Sequence, residues 1–509
     1  FALHSPLYIR AKAFDDMPPL LKRPSSNTRR VLKRPSSAIV EDKVDVDQTN
    51  KHLRISVVLP SGRALLEDFE VGSNDHCSLV QEKAQRVLGK RLKPLITSTG
   101  VCLPPGTSVK QAGLIDKDVL TAVVAPMIRI FSTESNFAAV RHDGIVIEWG
   151  ELIRGGCEKV REELRSGVED VYSTDKAFAA LTSSGSIVSW GSPARGGDHS
   201  AVKEQLAANV VNVVGSRHGR FAALKSGGAV VCWGRQPKVG ELEAFQDALR
   251  RDVTSISFAH DGALVVTKTD NSVIVGNGLN GSSETLMMIH KISDGVRRIS
   301  TTSFASAALT TGGAVVTWGD RDAGGDSEAV KQHLSKHVDA VVATDSAFAA
   351  LKKDGSVVTW GNMSRGGDSS QVQSQLGDRI KSISSTFGAF AALRIDGVVV
   401  TWGDSAQGGN IDFVQAQLMD VQSVFATRGA FAAIRNDGAV VTWGSPNWGG
   451  DSSIVHKRIQ SDVQYIRGAD YAFAAVKRDG SVVTWGNQQR GGDSSRVRGQ
   501  LNADVVSSA

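Results

Sequence analysis

The sequence is poor in cysteine, in tyrosine and in long apolar segments. Its 509 residues include four tyrosines and four cysteines, Cys77, Cys102, Cys157 and Cys232. The cysteines lie far apart without a C-x-x-C pair, which supports neither a disulfide framework nor a zinc site and is typical of a reducing, intracellular compartment, cytoplasmic or nuclear. No apolar run approaches the roughly 18 residues that span a bilayer, so no membrane insertion is expected.

The chain also lacks a strong excess of either charge. It has 58 Lys and Arg against 53 Asp and Glu, and the surplus lies near the N-terminus. Residues 1–50 hold nine basic and six acidic side chains, residues 51–125 hold ten and seven, and residues 126–509 hold 39 and 40. This near-neutral long segment argues against a specific nucleic-acid surface there.

The sequence shows no recognisable arrangement of catalytic residues. No nucleophile–base pair, metal-ligand cluster or phosphate loop emerges, and the 11 histidines show no i, i+4 pairing. We therefore expect no enzymatic activity, no cofactor and no metal site, although sequence leaves open an active site assembled from distant residues.

What the chain does contain is one motif, F-A-A-L-x-x-D-G-x-V-V-T-W-G, written nine times between Phe137 and Gly486. The central Asp-Gly steps, or their equivalents, recur every 41 to 43 residues. A fixed period of this length indicates units that bury their apolar faces against their neighbours. Residues 126–509 are therefore predicted to form a repeat array.

Each unit is predicted to contain three strands and a short helix. In the seventh unit, the alternating strand Ile380–Ser385 precedes the F-A-A-L strand, Asp396 and Gly397 form a two-residue hairpin with positive φ at both positions, and residues 398–402 return. Six units continue with Gly-Gly-Asp or Gly-Gly-Asn, which suits a helix N-cap. Apolar pairs four residues apart follow it, at Val202/Leu206, Val330/Leu334, Val372/Leu376, Val414/Leu418, Val455/Ile459 and Val497/Leu501.

The A-A-L-x-x-D-G-x-V-V-T-W-G core resembles the repeats of the regulator-of-chromosome-condensation family, over about three quarters of the chain. The resemblance implies a mainly-β, β-propeller-like array. Nine units exceed the four to eight blades typical of closed propellers, the units are shorter than that family's, and residues 505–508 look like the first strand of a tenth unit. An open spiral or solenoid therefore remains an alternative.

The repeated tryptophans are predicted to form a packing ladder between units rather than a ligand-stacking surface. They are Trp149, Trp190, Trp233, Trp318, Trp360, Trp402, Trp443 and Trp485. The Gly-Gly-Asp loops could cradle a phosphate, but the Asp carboxylate would occupy the same backbone donors and repel an anion, so a capping role is favoured. One carboxylate per loop falls short of what calcium requires.

Residues 52–125 are predicted to form a small α+β domain. Strands over 53–59 and 64–71, a helix over Ser78–Leu88 with Leu79, Ala84, Val87 and Leu88 as its apolar face, and strands near 95–97, 101–103 and 119–124 follow the order of a β-grasp. The K-P-L-I-T-S-T-G and S-V-K-Q-A-G-L-I-D-K-D-V-L stretches resemble the ubiquitin-like family.

That resemblance implies a recognition patch at Ile96 and Val123, the alternative being that one of them belongs to the core. Ala125-Pro126 stands where a conjugatable tag has Gly-Gly, so a transferable tag is not expected.

Residues 1–51 are predicted to be a disordered basic arm. The motif K-R-P-S-S occurs twice, and residues 20–37 hold six basic side chains and no acid. A solvated linker is the favoured interpretation. A nuclear-import patch, or phosphorylation at Ser25, Ser26, Ser36 or Ser37, is the alternative. Because the chain starts with Phe1, the N-terminus is expected to be incomplete.

Binding candidates are sought at positions that vary inside the constant repeat. The residue before Gly-Gly is Arg or Trp in five units, and these residue types are enriched at binding hot spots. The interface candidates are therefore Arg154, Arg195, Arg365, Trp448 and Arg490, although each alone could be an ordinary solvated loop residue.

These features favour a non-enzymatic scaffold that binds one protein partner through the array and another through the ubiquitin-like module. The first alternative is a fragment of a HECT-ligase-like protein of the ubiquitin pathway, whose catalytic cysteine would have to lie beyond Ala509. The second is guanine-nucleotide exchange, which rests on fold-level analogy. Oligomeric state is not predicted.

The repeat register itself gives a stability prediction. Replacing Trp402 by Ala should cost about 3–5 kcal/mol, because the ladder position buries a large aromatic ring. Replacing Trp448, outside the ladder register, should cost under about 1 kcal/mol if it is an exposed loop residue. Denaturant unfolding of both variants measures the contrast, and equal losses would show that the ladder is misassigned.

Overall fold

A computed structural model of the chain describes residues 52–88, 92, 95–101, 103, 108–122, 128–151, 156–236, 243–276, 292 and 295–501. These residues fall into two compact units that divide between residues 127 and 128. The predicted arm, Val123, Arg154 and residues 505–508 lie outside the described residues.

In its described residues, the first unit is a three-stranded sheet covered by one helix. It comprises β1 (His52–Val58), β2 (Ala64–Gly72), α1 (Cys77–Leu88) and β3 (Val119–Thr121). Strand β1 is central, antiparallel to β2 and parallel to β3. The first hairpin and the helix are therefore confirmed where the sequence predicts them.

The predicted apolar face of α1 was partly wrong. The helix buries Cys77, Val80 and Ala84, whereas Leu79 and Val87 are 45% and 55% exposed. The sequence offers two overlapping apolar stripes, and the sheet covers the one through Val80. Further along the chain, Leu95 is buried and Ile96 is half-buried, paired with Thr121.

The second unit contains nine three-stranded antiparallel sheets within residues 128–501, each built from consecutive strands. This confirms the predicted mainly-β repeat array. The first strands are Ile128–Ser132, Val168–Ser173, Val210–Gly215, Val253–Phe258, Val296–Thr301, Val338–Ala343, Ile380–Ser385, Val421–Ala426 and Val463–Gly468. The second strands are Asn136–Arg141, Ala177–Thr182, Arg220–Lys225, Leu264–Lys268, Ala305–Thr310, Ala347–Lys352, Ala389–Arg394, Ala430–Arg435 and Ala472–Lys477. The third strands are Val146–Gly150, Ile187–Gly191, Val230–Gly234, Val273–Val275, Val315–Gly319, Val357–Gly361, Val399–Gly403, Val440–Gly444 and Val482–Gly486.

The hairpins between second and third strands have three-residue loops, so the predicted two-residue turn was wrong. In sheet 6, Lys352 pairs with Ser356 around the loop, and the Gly355 N–H donates to the Lys352 carbonyl. Gly355 has a φ of 81°, while Asp354 does not have a positive φ. Instead, the Asp354 carboxylate accepts from the Ser356 N–H at 3.0 Å, which fixes a turn of the type that ends in a left-handed residue.

The predicted short helix after each sheet is mostly 3-10 rather than α. Short 3-10 segments are Cys157–Val160, Pro193–Arg195, Ser200–Val202, Glu328–Val330, Met363–Arg365, Ser370–Gln375, Ser405–Gln407, Gln415–Gln417, Pro446–Trp448, Ser453–Arg458, Gln488–Arg490 and Ser495–Val497. Further helices are α2 (Glu243–Ala248), α3 (Lys331–Leu334) and α4 (Arg498–Leu501), and a wider turn spans Arg321–Gly325. The second member of each predicted apolar pair is buried, as expected: Leu206, Leu334, Leu376, Leu418, Ile459 and Leu501.

Six of the ladder tryptophans join their sheet to the one before it by a hydrogen bond. All eight ladder tryptophans are at most 6% exposed. In six of them the indole Nε1 donates to the first Gly carbonyl of the preceding sheet's Gly-Gly, at 3.0–3.2 Å, as between Trp402 and Gly366. The Phe of the same sheet stacks on the Trp, with ring centroids 5.2 Å apart for Phe390 and Trp402. The predicted packing ladder is confirmed.

The first glycine of each Gly-Gly has no room for a side chain. Gly366 has a φ of 98°, and a Cβ there would lie 2.5 Å from the Phe390 ring of the next sheet. The second glycine, Gly367, would place a Cβ 2.3 Å from the Gly361 carbonyl oxygen. The Gly-Gly pair is therefore required for packing between sheets.

The sheet that follows a unit without Gly-Gly also lacks the Phe that would face it, although sheet 5 keeps its Trp318. No Gly-Gly follows the third or the fourth unit. Sheet 4 has Leu264 in the Phe position and Gly276 in the Trp position, and sheet 5 has Ser306 in the Phe position. There the Ser306 hydroxyl accepts from the His260 N–H at 3.0 Å, so a polar contact replaces the aromatic one.

The array returns to its starting point. First strands of consecutive sheets contact one another all the way round, including the first strands of sheets 9 and 1. Trp149 donates to the Gly491 carbonyl, and the Tyr465 hydroxyl donates to the Ile130 carbonyl at 3.0 Å. The described sheets thus form a closed cycle without exchanging a strand, and the open-spiral alternative is not what these residues form.

Replacing Gly366 by Ala should destabilise the fold by about 2–5 kcal/mol, because the variant meets both an unfavourable backbone region and the Phe390 ring. Gly377→Ala is the matched control, since nothing lies within 4 Å of the place that its new methyl group would take and its φ is not positive. Urea unfolding should show a change within about 0.5 kcal/mol for the control. Similar stability of the two variants would contradict the packing role of Gly366.

Candidate interaction surface

The turns between first and second strands are linked by backbone hydrogen bonds from sheet to sheet. One residue from each of seven turns takes part. Each of the first six donates its N–H to the carbonyl of the following one, at 2.6–3.0 Å, in the order Ser303, Asp345, Phe387, Arg428, Asp470, Glu134 and Asp175. This belt crosses the joint between sheets 9 and 1. It holds the turn residues at fixed positions while leaving their side chains free to vary.

The Gly-Gly loops lie at the same end of the sheets as these turns. Four turn threonines donate their hydroxyl to the carbonyl of the residue that precedes Gly-Gly in the same unit, at 2.8–3.0 Å. One of these bonds joins Thr427 to Trp448 and another joins Thr344 to Arg365. The two variable positions of each unit, turn and loop, are therefore brought together.

Six side chains from these turns and loops form a continuous stack across sheets 6 to 9, here called the arginine–aromatic ridge. Along the ridge lie Arg365, Phe387, Arg428, Trp448, Tyr471 and Arg490. Two guanidinium carbons lie 5.1 and 4.6 Å from the Phe387 ring centroid, and the second of these groups, from Arg428, is 5.3 Å from the Trp448 ring.

The other end of the ridge is equally close-packed. Trp448 and Tyr471 have ring centroids 5.3 Å apart, and the Arg490 guanidinium lies 4.2 Å from the Tyr471 centroid. Glycines allow this approach, since a Cβ on Gly429 would lie 2.8 Å from the Trp448 ring, and one on Gly388 would lie 2.9 Å from the side chain of Arg365. All six ridge side chains are half-buried.

Of the sequence-predicted candidates, the structure brings together Arg365, Trp448 and Arg490. Arg195 lies apart from them in unit 2, where its guanidinium pairs with the Asp175 carboxylate at 2.8 Å. Ile96 belongs to the other compact unit, and Val123 and Arg154 lie outside the described residues. Their roles as interface residues stay predictions.

The expectation that Trp448 is an exposed loop residue was wrong. Its ring is half-buried, packs against the core between sheets 8 and 9 and covers Gly429. The loss in free energy of unfolding caused by Trp448→Ala should therefore lie between the loss at an exposed loop position and the loss caused by Trp402→Ala. The difference between the two tryptophan variants should be smaller than the repeat register alone predicts.

Sequence reasoning missed Phe387, Arg428 and Tyr471. They occupy the positions two or three residues before the constant Phe of the repeat, which also vary from unit to unit inside a fixed frame. The criterion of variation inside a constant repeat, which selected the residue before Gly-Gly, would have selected these three residues as well. What sequence could not show is that loop and turn positions from different units meet.

Two carboxyl groups of the belt have raised pKa values, Asp470 beside the ridge and Asp175 in sheet 2. Burial raises the pKa of Asp470 to about 7, an effect that Glu134 strengthens and Arg428 opposes. Burial likewise raises the pKa of Asp175 to about 6, and here Arg195 opposes the effect while Glu134 adds to it. Because backbone bonds join the turns of Asp470, Glu134 and Asp175, three acidic side chains follow one another around the closing joint.

The Gly-Gly-Asp carboxylates bind backbone N–H groups at the start of the next 3-10 segment, but from the position before its N-cap, which is Ser369 after Asp368. Each accepts from the backbone N–H two residues further on, as Asp368 does from Ser370 at 2.8 Å, and hydrogen bonds from Ser370 hold the Asp368 pKa below its usual value. These donors are thus occupied by protein. Among the described residues, no group of three or more His, Cys, Asp or Glu side chains is arranged to hold a metal ion.

Comparisons with known proteins give only distant likenesses. No family model and no curated protein matches the chain. Among solved structures, the ectodomain of the Physcomitrella patens receptor kinase CR4 has 15% identity over 55% of this chain and 73% of its own, with a TM-score of 0.34. Human WBSCR16 has 15% identity over 52% and 80%, with a TM-score of 0.31. Prp20p from Saccharomyces cerevisiae has 15% identity over 64% and 82%, with a TM-score of 0.33.

At these identities and scores the likenesses bear on neither function nor partner. In the described part of the chain, no helix has the length and apolarity needed to cross a membrane.

Replacing Asp470 by Asn should change how stability depends on pH. The folded-state pKa of about 7 exceeds the ordinary value of 3.8. The stability that Asp470 contributes is therefore full below about pH 4 and is lost as pH rises through about 7. The Asn variant should gain stability relative to the parent between pH 5 and pH 8, measured by urea unfolding.

The control for this experiment is Asp247→Asn, because the Asp247 side chain is 66% exposed in helix α2. The difference in free energy of unfolding between this variant and the parent should not change over the same pH range. If the corresponding difference for Asp470→Asn were also constant, the raised pKa assigned to Asp470 would be contradicted.

Proposed function

We propose that this chain is a non-enzymatic protein-interaction scaffold. The array presents the arginine–aromatic ridge to a protein partner, and residues 52–125 form a β-grasp, ubiquitin-like module that binds a second partner without being conjugated. The observation that carries the proposal is the ridge itself, which gathers three arginines and three aromatic side chains from the loops and turns of sheets 6 to 9.

The composition of the ridge supports binding rather than packing alone. Trp, Tyr and Arg are the residue types that most often dominate interface energies. Several of the corresponding positions elsewhere have small or acidic side chains, for example Ala323, Ser303 and Asp345, whereas others keep a single arginine or aromatic residue, as at Arg195 and Phe304. Sheet 5 is built with Ala323 and Ser303, so the fold does not require arginine or an aromatic ring at these two positions.

The rigidity of the ridge also supports a recognition role. The belt of backbone bonds fixes Phe387 and Arg428 through their main chains, at 2.6 and 3.0 Å from their partners. Arg365 and Trp448 lie directly against the backbone of Gly388 and Gly429, and this close contact restricts the conformations of both side chains. A surface already held in its binding conformation loses less conformational entropy when a partner binds.

The proposed β-grasp rests on the central position of β1 between an antiparallel and a parallel neighbour, with α1 packed on the sheet. No feature of the described residues favours the HECT-ligase or the nucleotide-exchange alternative, and both stay hypotheses.

The proposal is tested by quantitative affinity capture with the whole chain, using the double variant Trp448→Ala/Arg490→Ala. Arg251→Ala is the control, because its side chain is 82% exposed and it precedes the first strand of sheet 4, at the opposite end from the turns. Proteins bound by the parent and the control should be lost with the ridge variant, while thermal melting shows that all three chains are folded. Identical sets of captured proteins would overturn the role of the ridge.

A further inference from the structure

We infer that the segment recognised by the ridge is an acidic polypeptide, whose carboxylates pair with the edges of the ridge guanidinium groups. This inference rests on the proposed function and adds the chemistry of the partner. It follows from how the arginines are stacked, from their charge balance and from the coverage of the aromatic faces.

Stacking determines which part of each arginine is available. The guanidinium groups of Arg365, Arg428 and Arg490 lie 4.2 to 5.3 Å from aromatic ring centroids. Part of these side chains stays accessible, since Arg365 and Arg428 are 32% and 23% exposed, although the Arg365 Nη1 and Arg428 Nε atoms are buried. Guanidinium N–H groups form the fork that binds carboxylates in a bidentate manner.

The ridge carries more positive than negative charge. Arg365 lies 3.6 Å from Asp404, and Arg428 lies 4.0 Å from Asp470, both longer than a close charged hydrogen bond. Burial raises the pKa of Asp470 to about 7, so this carboxyl group is partly protonated near neutral pH. Arg490 adds a third positive charge at the end of the stack, over Tyr471.

The same geometry disfavours nucleic acid, the other anionic polymer that binds Arg and aromatic residues. Single-stranded nucleic acids gain affinity by stacking their bases on open aromatic faces. Here Phe387 is contacted by two guanidinium groups, and Tyr471 is contacted by Arg490 and by Trp448. The rings are engaged within the ridge, and residues 126–509 as a whole are near neutral, with 39 basic and 40 acidic side chains.

The test measures binding of a fluorescein-labelled peptide of alternating Glu and Gly to the full chain by fluorescence anisotropy at low salt. A peptide with Gln in place of Glu and a single-stranded oligothymidine of equal charge are the comparison probes. The Glu peptide should bind at least about tenfold more tightly than either of them. Its affinity should fall with added salt because exposed charge pairs are screened.

Variants assign the binding to the ridge. Arg428→Gln and Arg490→Gln should each weaken binding of the Glu peptide by about threefold to tenfold. Asp470→Asn should strengthen it, because the substitution removes the carboxylate that competes for Arg428. The control Arg251→Gln removes an equal charge at the opposite end of the sheets and should leave the affinity unchanged. Melting curves show that each variant is folded.

Two kinds of result would overturn the inference. One is equal affinity for the Glu and Gln peptides or tighter binding of oligothymidine, and the other is equal weakening by Arg490→Gln and Arg251→Gln. Either result, with affinity capture still dependent on Trp448 and Arg490, would leave the scaffold proposal standing and reject the acidic partner alone. Loss of both would reject the ridge as a binding surface.

Discussion

The hydrogen bond from a tryptophan indole to a glycine carbonyl of the preceding sheet is the contact on which the array depends. It fixes three features of the repeat together. The Trp must be buried, the accepting glycine must adopt positive φ, and the Phe that stacks on the Trp must face a residue without a side chain. The units around sheet 4 illustrate this dependence for the Phe, which is lost from sheets 4 and 5 after the two units without Gly-Gly, while the Trp is lost only from sheet 4.

A joint held by constant residues leaves other positions open to variation. The turn and loop side chains contribute little to the joint, since their main chains carry the belt and the threonine bonds. Except at Trp448, whose half-buried ring packs against the core between sheets 8 and 9, substitution at these positions should cost the fold little, provided that glycines such as Gly388 and Gly429 admit the neighbouring side chain. This separation between framework and variable surface explains how one end of the sheets acquires arginines and aromatic residues on one side and acidic residues on another.

Much of this arrangement could be predicted from the sequence, because the repeat aligns each residue with eight counterparts. Strand positions, burial of the tryptophans and the hydrogen bond from a backbone N–H to the Asp368 carboxylate follow from local pattern. The hairpin loop length could not be predicted, since Asp-Gly suits both two- and three-residue loops and these differ by a single backbone pairing. The 3-10 geometry of the connections and the burial of Trp448 depend on contacts with the next sheet. Closure depends on the rotation accumulated over all units, which no single unit specifies.

The ridge and the closing joint share one short segment of chain. Arg490 ends the ridge, and the next residue, Gly491, accepts the hydrogen bond from Trp149 that joins the last sheet to the first. Asp470 likewise lies between Arg428 of the ridge and Glu134 of the first sheet. A partner that binds the ridge only in the closed array stabilises that closure by mass action. In the proposed binding role, recognition would therefore be coupled to closure through the loop of residues 487–491, because the same backbone must be ordered for both.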